Sequence, residues 1–447
     1  MVAEHARSLV FVDYGDLQSP DLLAKGFYFL TGFGHEAVMV FFVISGYLVG
    51  GKVWSLYREG RFSWRRYLAD RLSRLYAVLF VALLLGAVLD WSGYHFLNSF
   101  GFYNKGYDGA IAVLGTAPIE RMGVRDFLVN TLFLQTIAGP PFGSNGPLWS
   151  LAYEWWYYIL FPVALAAVWP IVDSGWRFFK GDRRTKIGDR GEEEILTTED
   201  TERTEEGAGP CLDKPSGAAF SNPSTSQLAR DCENTSPTRS ASGPGLPVTR
   251  YPLLATRALS ALGSLLAVAG LCWFLTWEIL IFFGIWVLGV IAGAWPSRNM
   301  FHVPLRAGRI VLLAGSVLVF MGALLVARGE FLKTPYAWQY LLGLAYALVI
   351  FSLAGFQCRL PWFRWSAYLS DFSYSVYLIH FPVIMFFLSL GFEVIGFGIR
   401  MPFEVLGLVW YFGIFIVALL MSWLVSLFTE RKTARLRRLF YFLLHVR

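Results

Sequence analysis

Nine runs of about 20 mostly apolar residues recur along the chain, at 36–52, 74–91, 148–170, 252–273, 275–295, 308–327, 337–355, 372–391 and 405–428. That is the length an α-helix needs to cross the hydrocarbon core of a bilayer. Lipid offers no partners for backbone N–H and C=O groups, so a spanning segment must satisfy them itself. Continuous apolar runs do this as helices. Composition agrees with the runs: 55% of the 447 residues are hydrophobic and only 16% are charged. A soluble domain carries nearer a quarter charged residues. Soluble multidomain, disordered, collagen-like and coiled-coil readings are therefore excluded for the chain as a whole. The expected fold is an all-α polytopic membrane protein of about ten transmembrane helices, the first one partial at its N-terminus.

Two further stretches, 1–12 and 126–137, are apolar but short for a crossing. Basic residues decide how they are read, because positive charge collects on the cytoplasmic side. Lys52, Arg58, Arg61, Arg65, Arg66, Arg71 and Arg74 follow the first full span, and Arg431, Lys432, Arg435, Arg437, Arg438 and Arg447 close the chain. Both groups are expected to be cytoplasmic, together with the loops Arg298–Arg309 and Arg359–Arg364. That parity holds only if 126–137 does not cross. It also makes 1–12 the outer half of a helix.

The domain reading is a membrane domain in two parts, 1–175 and 251–430, with a basic tail at 431–447. Between the parts, 176–250 is polar and nearly charge-balanced, with the run TTEDTERTEE at 197–206. It is expected to be a disordered cytoplasmic insertion. Cys211, Cys232, Cys272 and Cys358 are too scattered for a disulfide framework or a zinc site. No metal site is read.

Polar groups inside a membrane are expensive and mark function. Four clusters qualify. Trp149-Ser150 opens the 148–170 span after Pro147, and Ser150 shares a helical face with Glu154. Four nearby aromatics fit an interfacial belt, but a carboxylate one turn into a span needs a partner or a proton. Ser45-Gly46 lies in the inner half of 36–52, where small residues suit either helix packing or a ligand's approach. Arg65, Arg66, Arg71 and Arg74 alternate with Trp64, Tyr67, Leu68 and Leu72 as an amphipathic surface helix. Their guanidinium forks suit lipid phosphates or a phosphorylated cytosolic ligand equally. Ser373, Tyr377 and His380 follow i, i+4, i+7 and make one polar face near mid-membrane, with Tyr374 beside them. His5 and His35 are expected near the level of Glu154, where a histidine beside a carboxylate serves as a general base.

FFVISGYLVG (41–50) with RRYLADRLSRLY (65–76), PLWSLAYEWWYYILFP (147–162) and LSDFSYSVYLIHFPV (369–383) resemble, in order and spacing, the membrane acyltransferase 3 family. The resemblance covers nearly the whole chain apart from the insertion. It implies transfer of an acyl group, often acetyl, from cytosolic acyl-CoA to a hydroxyl of an extracytoplasmic or lipid-linked glycan. It implies no bound cofactor, acyl-CoA as co-substrate, and residence in a bacterial-type inner membrane. The family's leading motif is an Arg, ten residues, then a His in the first helix. The stretch around His5 is similar to its second half, which makes His5 the implied catalytic histidine and places the Arg ahead of Met1.

The expected scheme follows. Arg65, Arg66, Arg71 and Arg74 hold the CoA phosphates, and the pantetheine arm passes Ser45, Gly46 and the Tyr377 face. His5, oriented by Glu154, takes the acceptor's proton, and Tyr374 or Tyr377 bonds the developing oxyanion. His35, Trp149, Ser150, Ser373 and His380 line the substrate path. The competing readings are a transporter or flippase with the same polar core, and an inactive remnant.

Overall fold

In a computed structural model of the chain, residues 1–104, 116–193, 251–294, 306–329, 334, 336–354 and 370–446 are described. Among them the architecture is helical, with no named strand. Among the described residues, seven helices are long and apolar enough to cross a membrane: Leu22–Arg58, Trp64–Phe96, Leu148–Pro170, Trp277–Ala294, Ile310–Arg328, Ser373–Ile395 and Val405–Leu443. Two shorter apolar helices, Ala261–Phe274 and Ala337–Leu353, occupy the remaining expected spans. The protein is an all-α polytopic membrane protein.

The helices are α1 (Val2–Val10), α2 (Leu22–Leu30), α3 (Gly34–Ser45), α4 (Gly51–Arg58), α5 (Trp64–Phe96), α6 (Val124–Thr131) and α7 (Leu148–Glu193). After them come α8 (Tyr251–Phe274), α9 (Trp277–Ala294), α10 (Arg306–Arg328), α11 (Ala337–Leu353), α12 (Ser373–Ile395), α13 (Val405–Phe428) and α14 (Thr433–Leu443). Two compact units result. Met1–Ala167 with Leu262–Arg447 form the bundle that holds the site, and Val168–Ala261 form the other. The described parts of the second unit are helical. The helix expected to stop near 170 continues to Glu193, past the expected start of the insertion, and 194–250 lie outside the described residues. So do Cys211, Cys232, Cys358 and the loop positions 298–305 and 359–364, whereas Cys272 is a free, exposed thiol.

Three local features position the site. First, α3 passes into α4 through a π-helical turn, Gly46–Gly50. Glycines let this segment press on α9: a Cβ at Gly46 would meet the Trp286 carbonyl oxygen at 1.9 Å, and one at Gly289 would meet the Val43 carbonyl oxygen at 2.0 Å. Such backbone-to-backbone approach is how helices associate where lipid gives no hydrophobic drive. The helix-packing reading of Gly46 is the one its surroundings match.

Second, α5 is one helix of 33 residues, about 50 Å long, well beyond the roughly 30 Å of a hydrocarbon core. Arg65, Arg66, Arg71 and Arg74 therefore sit on the first turns of a spanning helix, not on a separate surface helix. The surplus length carries them out past the apolar zone, which is why so basic a stretch can continue directly into a span.

Third, α6 has eight residues, about 12 Å, too few to cross. After it the chain turns back, and Phe142–Leu148 is buried without regular helix until α7 begins. Irregular backbone is tolerated at such depth only where protein surrounds it. Here Asn130 Nδ2 donates to the Pro140 carbonyl at 2.9 Å, and Gln135 Nε2 donates to the Leu148 carbonyl at 2.9 Å. The outer faces of α10 and α13 remain apolar and open, with Val311 at 70% and Val405 at 78% exposure. Patches of this kind belong against lipid.

Candidate active site

The first polar centre joins α1 to α12. His5 Nδ1 lies 2.9 Å from His380 Nε2, and the two rings stack with centroids 5.2 Å apart. His380 is fully buried, and its Nδ1 lies 2.9 Å from the carbonyls of both Val376 and Tyr377. Carbonyls only accept, so in the neutral ring Nδ1 carries the proton and Nε2 does not. Nε2 must then accept from His5 Nδ1–H. That fixes the His5 tautomer, with its Nε2 lone pair unprotonated. Among the described residues nothing bonds that atom.

The second centre joins α7 to α12 one turn away. Tyr377 Oη donates to the Pro147 carbonyl at 2.7 Å and also contacts Ser150 Oγ. Proline at 382 inside α12 removes the N–H that the Leu378 carbonyl would receive. Asn145 Nδ2, from the buried segment before α7, donates to it instead at 2.7 Å. That segment is anchored to α5: Ser144 N and Ser144 Oγ each donate to Asp90 at 2.7 Å. Gly143, at φ +55°, makes the turn, and a Cβ there would meet Asp90 Oδ2 at 2.2 Å.

The third centre lies toward the arginines. Glu154 accepts from Ser45 Oγ at 2.9 Å and from Tyr158 Oη. Trp286 Nε1 donates to Ser45 Oγ at 3.2 Å. The charges of Arg74 and Arg71 reach Glu154, and the Arg71 guanidinium lies 5.7 Å from the Tyr158 ring centre. Beyond it opens a cleft of about 450 Å³ lined by Arg71, Arg74, Tyr374, Asp371, Glu430 and Arg437. Buried Arg71 Nε has no hydrogen-bond partner among the described residues. Helix α14 packs on α5, where Tyr441 Oη donates to Asp70 at 2.9 Å.

Several sequence expectations change. Glu154 is not level with His5 and does not orient it. A Cβ at Gly34 would collide with Glu4, so His5 sits beside the start of α3. Ser45, which holds Glu154, is roughly three helical turns, about 16 Å, further along. His380 takes the place expected of the carboxylate. His35 also stands apart from Glu154, its ring 6.2 Å from Trp149 and 5.4 Å from Trp338. Ser373 is exposed at the first position of α12, bonding the Ser370 carbonyl, so the polar face of Tyr377 and His380 does not include it at mid-membrane depth. Arg65 and Arg66 are exposed and do not line the cleft, whereas Arg71 and Arg74 do. Tyr374 lines it too, and its hydroxyl donates to the Leu75 carbonyl at 3.3 Å. Arg437 was read from the sequence only as part of the basic tail, and Asn145, Ser144 and Asp90 were not singled out. A carboxylate at 90 within an apolar span was the one signal that pointed to the last of these.

A family model described as an acyltransferase domain, acyltransferase 3, matches residues 6–179 and 244–444. The chain belongs to the acyltransferase 3 family. Neither a curated protein nor a solved structure matches it. Within this acyltransferase the matched stretches contain every centre described above except His5, which immediately precedes the first of them. The unmatched interval 180–243 lies inside 176–250. The protein is thus a membrane acyltransferase, and its polar centres run from a basic cleft at one end of the bundle to the histidine pair that joins α1 to α12.

Proposed function

We propose that this acyltransferase moves an acyl group, acetyl in the simplest case, from acyl-CoA to a hydroxyl of an extracytoplasmic or lipid-linked carbohydrate. The observation that carries the reading is the hydrogen-bond chain from the Val376 and Tyr377 carbonyls through His380 to His5, which leaves His5 Nε2 as a free base. The acceptor oxygen attacks the thioester carbonyl while its proton passes to His5 Nε2. The C–S bond then breaks, and the departing CoA thiolate recovers that proton. The products are an ester and free CoA. The Ser150 hydroxyl, set against Tyr377 Oη, donates to the developing oxyanion. Trp149, beside His35, offers a face on which a sugar ring stacks.

The donor enters from the opposite end. Arg71, Arg74 and Arg437, which line the cleft, hold its phosphates, guanidinium forks being matched to such groups. Its acyl arm extends past Glu154, Ser45 and Tyr158 toward the histidines. On this reading the basic end, including the C-terminal helix α14, faces the cytosolic side of an inner membrane, and the positive-inside rule supports it.

The direct test supplies membranes containing the protein with labelled acetyl-CoA and follows label into glycan or lipid-linked sugar. Transfer of label supports the reading. Movement of unlabelled glycan across the membrane without label transfer rejects it. A narrower prediction concerns the cleft. Arg71→Ala and Arg437→Ala are each expected to raise KM for acyl-CoA by about 10-fold, one charge-assisted phosphate contact, with kcat held within about twofold. Arg65→Ala, exposed and outside the cleft, is expected to leave both constants unchanged. Initial rates against donor concentration separate the three variants.

A further inference from the structure

We propose that Asn145 is the positioning residue of the histidine pair, holding open-turn α12 in the one shape that aims His380 at His5. The inference rests on the reading of His5 as the base.

An α-helix gives the carbonyl of Leu378 to the N–H of residue 382. Here residue 382 is proline, which has no N–H and whose ring crowds that same carbonyl. The site is inside the bundle, Leu378 being fully buried, so water is not at hand to fill the gap. Asn145, itself 2% exposed, fills it through Nδ2 at 2.7 Å. The two preceding carbonyls of this turn, those of Val376 and Tyr377, are the ones that hold His380 Nδ1. Three successive carbonyls therefore form one unit. Two orient the imidazole and Asn145 grips the third. The Tyr377 side chain is tied to the same incoming segment at Pro147. The grip is firm because its base is fixed, with Ser144 bonded twice to Asp90 on α5. The line of support runs Asp90, Ser144, Asn145, Leu378 carbonyl, His380, His5. If the grip is lost, the proline turn opens, the His380 ring leaves its stacking position, and His5 Nδ1 loses its acceptor.

Proline 382 makes this separable from a general packing role. Pro382→Ala restores an N–H at residue 382, which can serve the Leu378 carbonyl from within the helix. Asn145 then becomes redundant. Four forms of the full chain in native membranes are compared at equal folded amounts: unaltered, Asn145→Ala, Pro382→Ala, and both together. Asn145→Ala is expected to lower kcat about 10- to 100-fold, as a displaced catalytic group does, with KM for acyl-CoA within twofold. The double variant is expected to match Pro382→Ala alone. If Asn145→Ala keeps full kcat, or if its effect multiplies undiminished onto Pro382→Ala, the proposal is overturned. Should the alanine variant fail to accumulate, Asn145→Leu keeps the branching at Cγ, carries no donor, and enters the same comparison with Pro382→Ala. His5→Asn distinguishes the two levels of the argument. If it retains the unaltered kcat, the reading of His5 fails. If it is inactive while Asn145→Ala is fully active, only the role of Asn145 fails.

Discussion

His5→Asn is expected to lower acyl transfer by on the order of 10²- to 10⁴-fold, the range a positioned general base contributes. Asparagine is the informative replacement. Its amide nitrogen occupies about the place of imidazole Nδ1, so it still donates toward His380 Nε2. It has no counterpart of the Nε2 lone pair. The buried His380 keeps its partner, and only the base is removed. Alanine would do both at once. It would leave the His380 acceptor unmet at a cost of about 1–3 kcal/mol and so mix stability with chemistry. The measurement is label incorporation from acetyl-CoA, normalised to folded protein in the membrane. The converse variant, His380→Gln, keeps a side-chain acceptor near the position of Nε2 and is expected to retain more activity than His380→Ala. If His5→Asn stays near full rate while His380→Ala abolishes it, the proton acceptor is His380 and the order of the pair is reversed.

The largest expected loss of stability comes from two glycines. Gly46→Ala and Gly289→Ala each place a methyl about 2 Å from a carbonyl oxygen of the facing helix. Neither obstacle is a flexible side-chain end, so α3 and α9 have to separate. Overpacking a fitted interior commonly costs about 1–3 kcal/mol, and contact with backbone belongs at or above the top of that range. Against a total of roughly 5–15 kcal/mol for a domain, this is a large share. Gly315→Ala on α10 is the internal control, since a Cβ there meets nothing within 4 Å. It is expected to be neutral or stabilising by up to about 1 kcal/mol through helix propensity. Thermal unfolding in detergent checks all three. Equal melting of Gly46→Ala and Gly315→Ala would mean that the α3–α9 contact gives way at little cost.

Helical spans were readable because lipid imposes one rule on every segment, a long apolar run. The short 126–137 stretch was readable too, from where the arginines fall. Faces along one helix also came through: Ser150 and Glu154 on α7, Tyr377 and His380 on α12. Depth did not. Periodicity fixes rotation about a helix axis but not height along the membrane normal, so Ser373 was placed too deep and Glu154 too far out. The cause at Glu154 is specific. Residues 142–148 enter the bundle before the helix starts, so α7 begins already inside. Sequence spacing was equally silent on partners far apart in the chain. His5 meets His380, and Asn145 meets Leu378. Only the closed fold brings them together. A proline at 382 marks a carbonyl that its own helix does not serve, yet the donor that meets that carbonyl comes from a loop with no helical pattern to mark it.

The π turn at Gly46–Gly50 bears on where this chain can vary in length. A π turn is an α-helix with one residue more than the turn requires. Removing a single glycine there would let the helix relax to ordinary α geometry with its hydrogen bonds intact. The two flanks would stay nearly in phase, because the wide turn takes up its extra residue without the roughly 100° that a residue adds to an ordinary α-helix. Ser45 and Lys52 would face much the same directions as now. The wide turn is thus a place where one residue can be absorbed or lost without turning the rest of the helix. It keeps the half that serves Glu154 in phase with the half that leads to the arginines, whereas its pressure on α9 leaves no room for a side chain at Gly46.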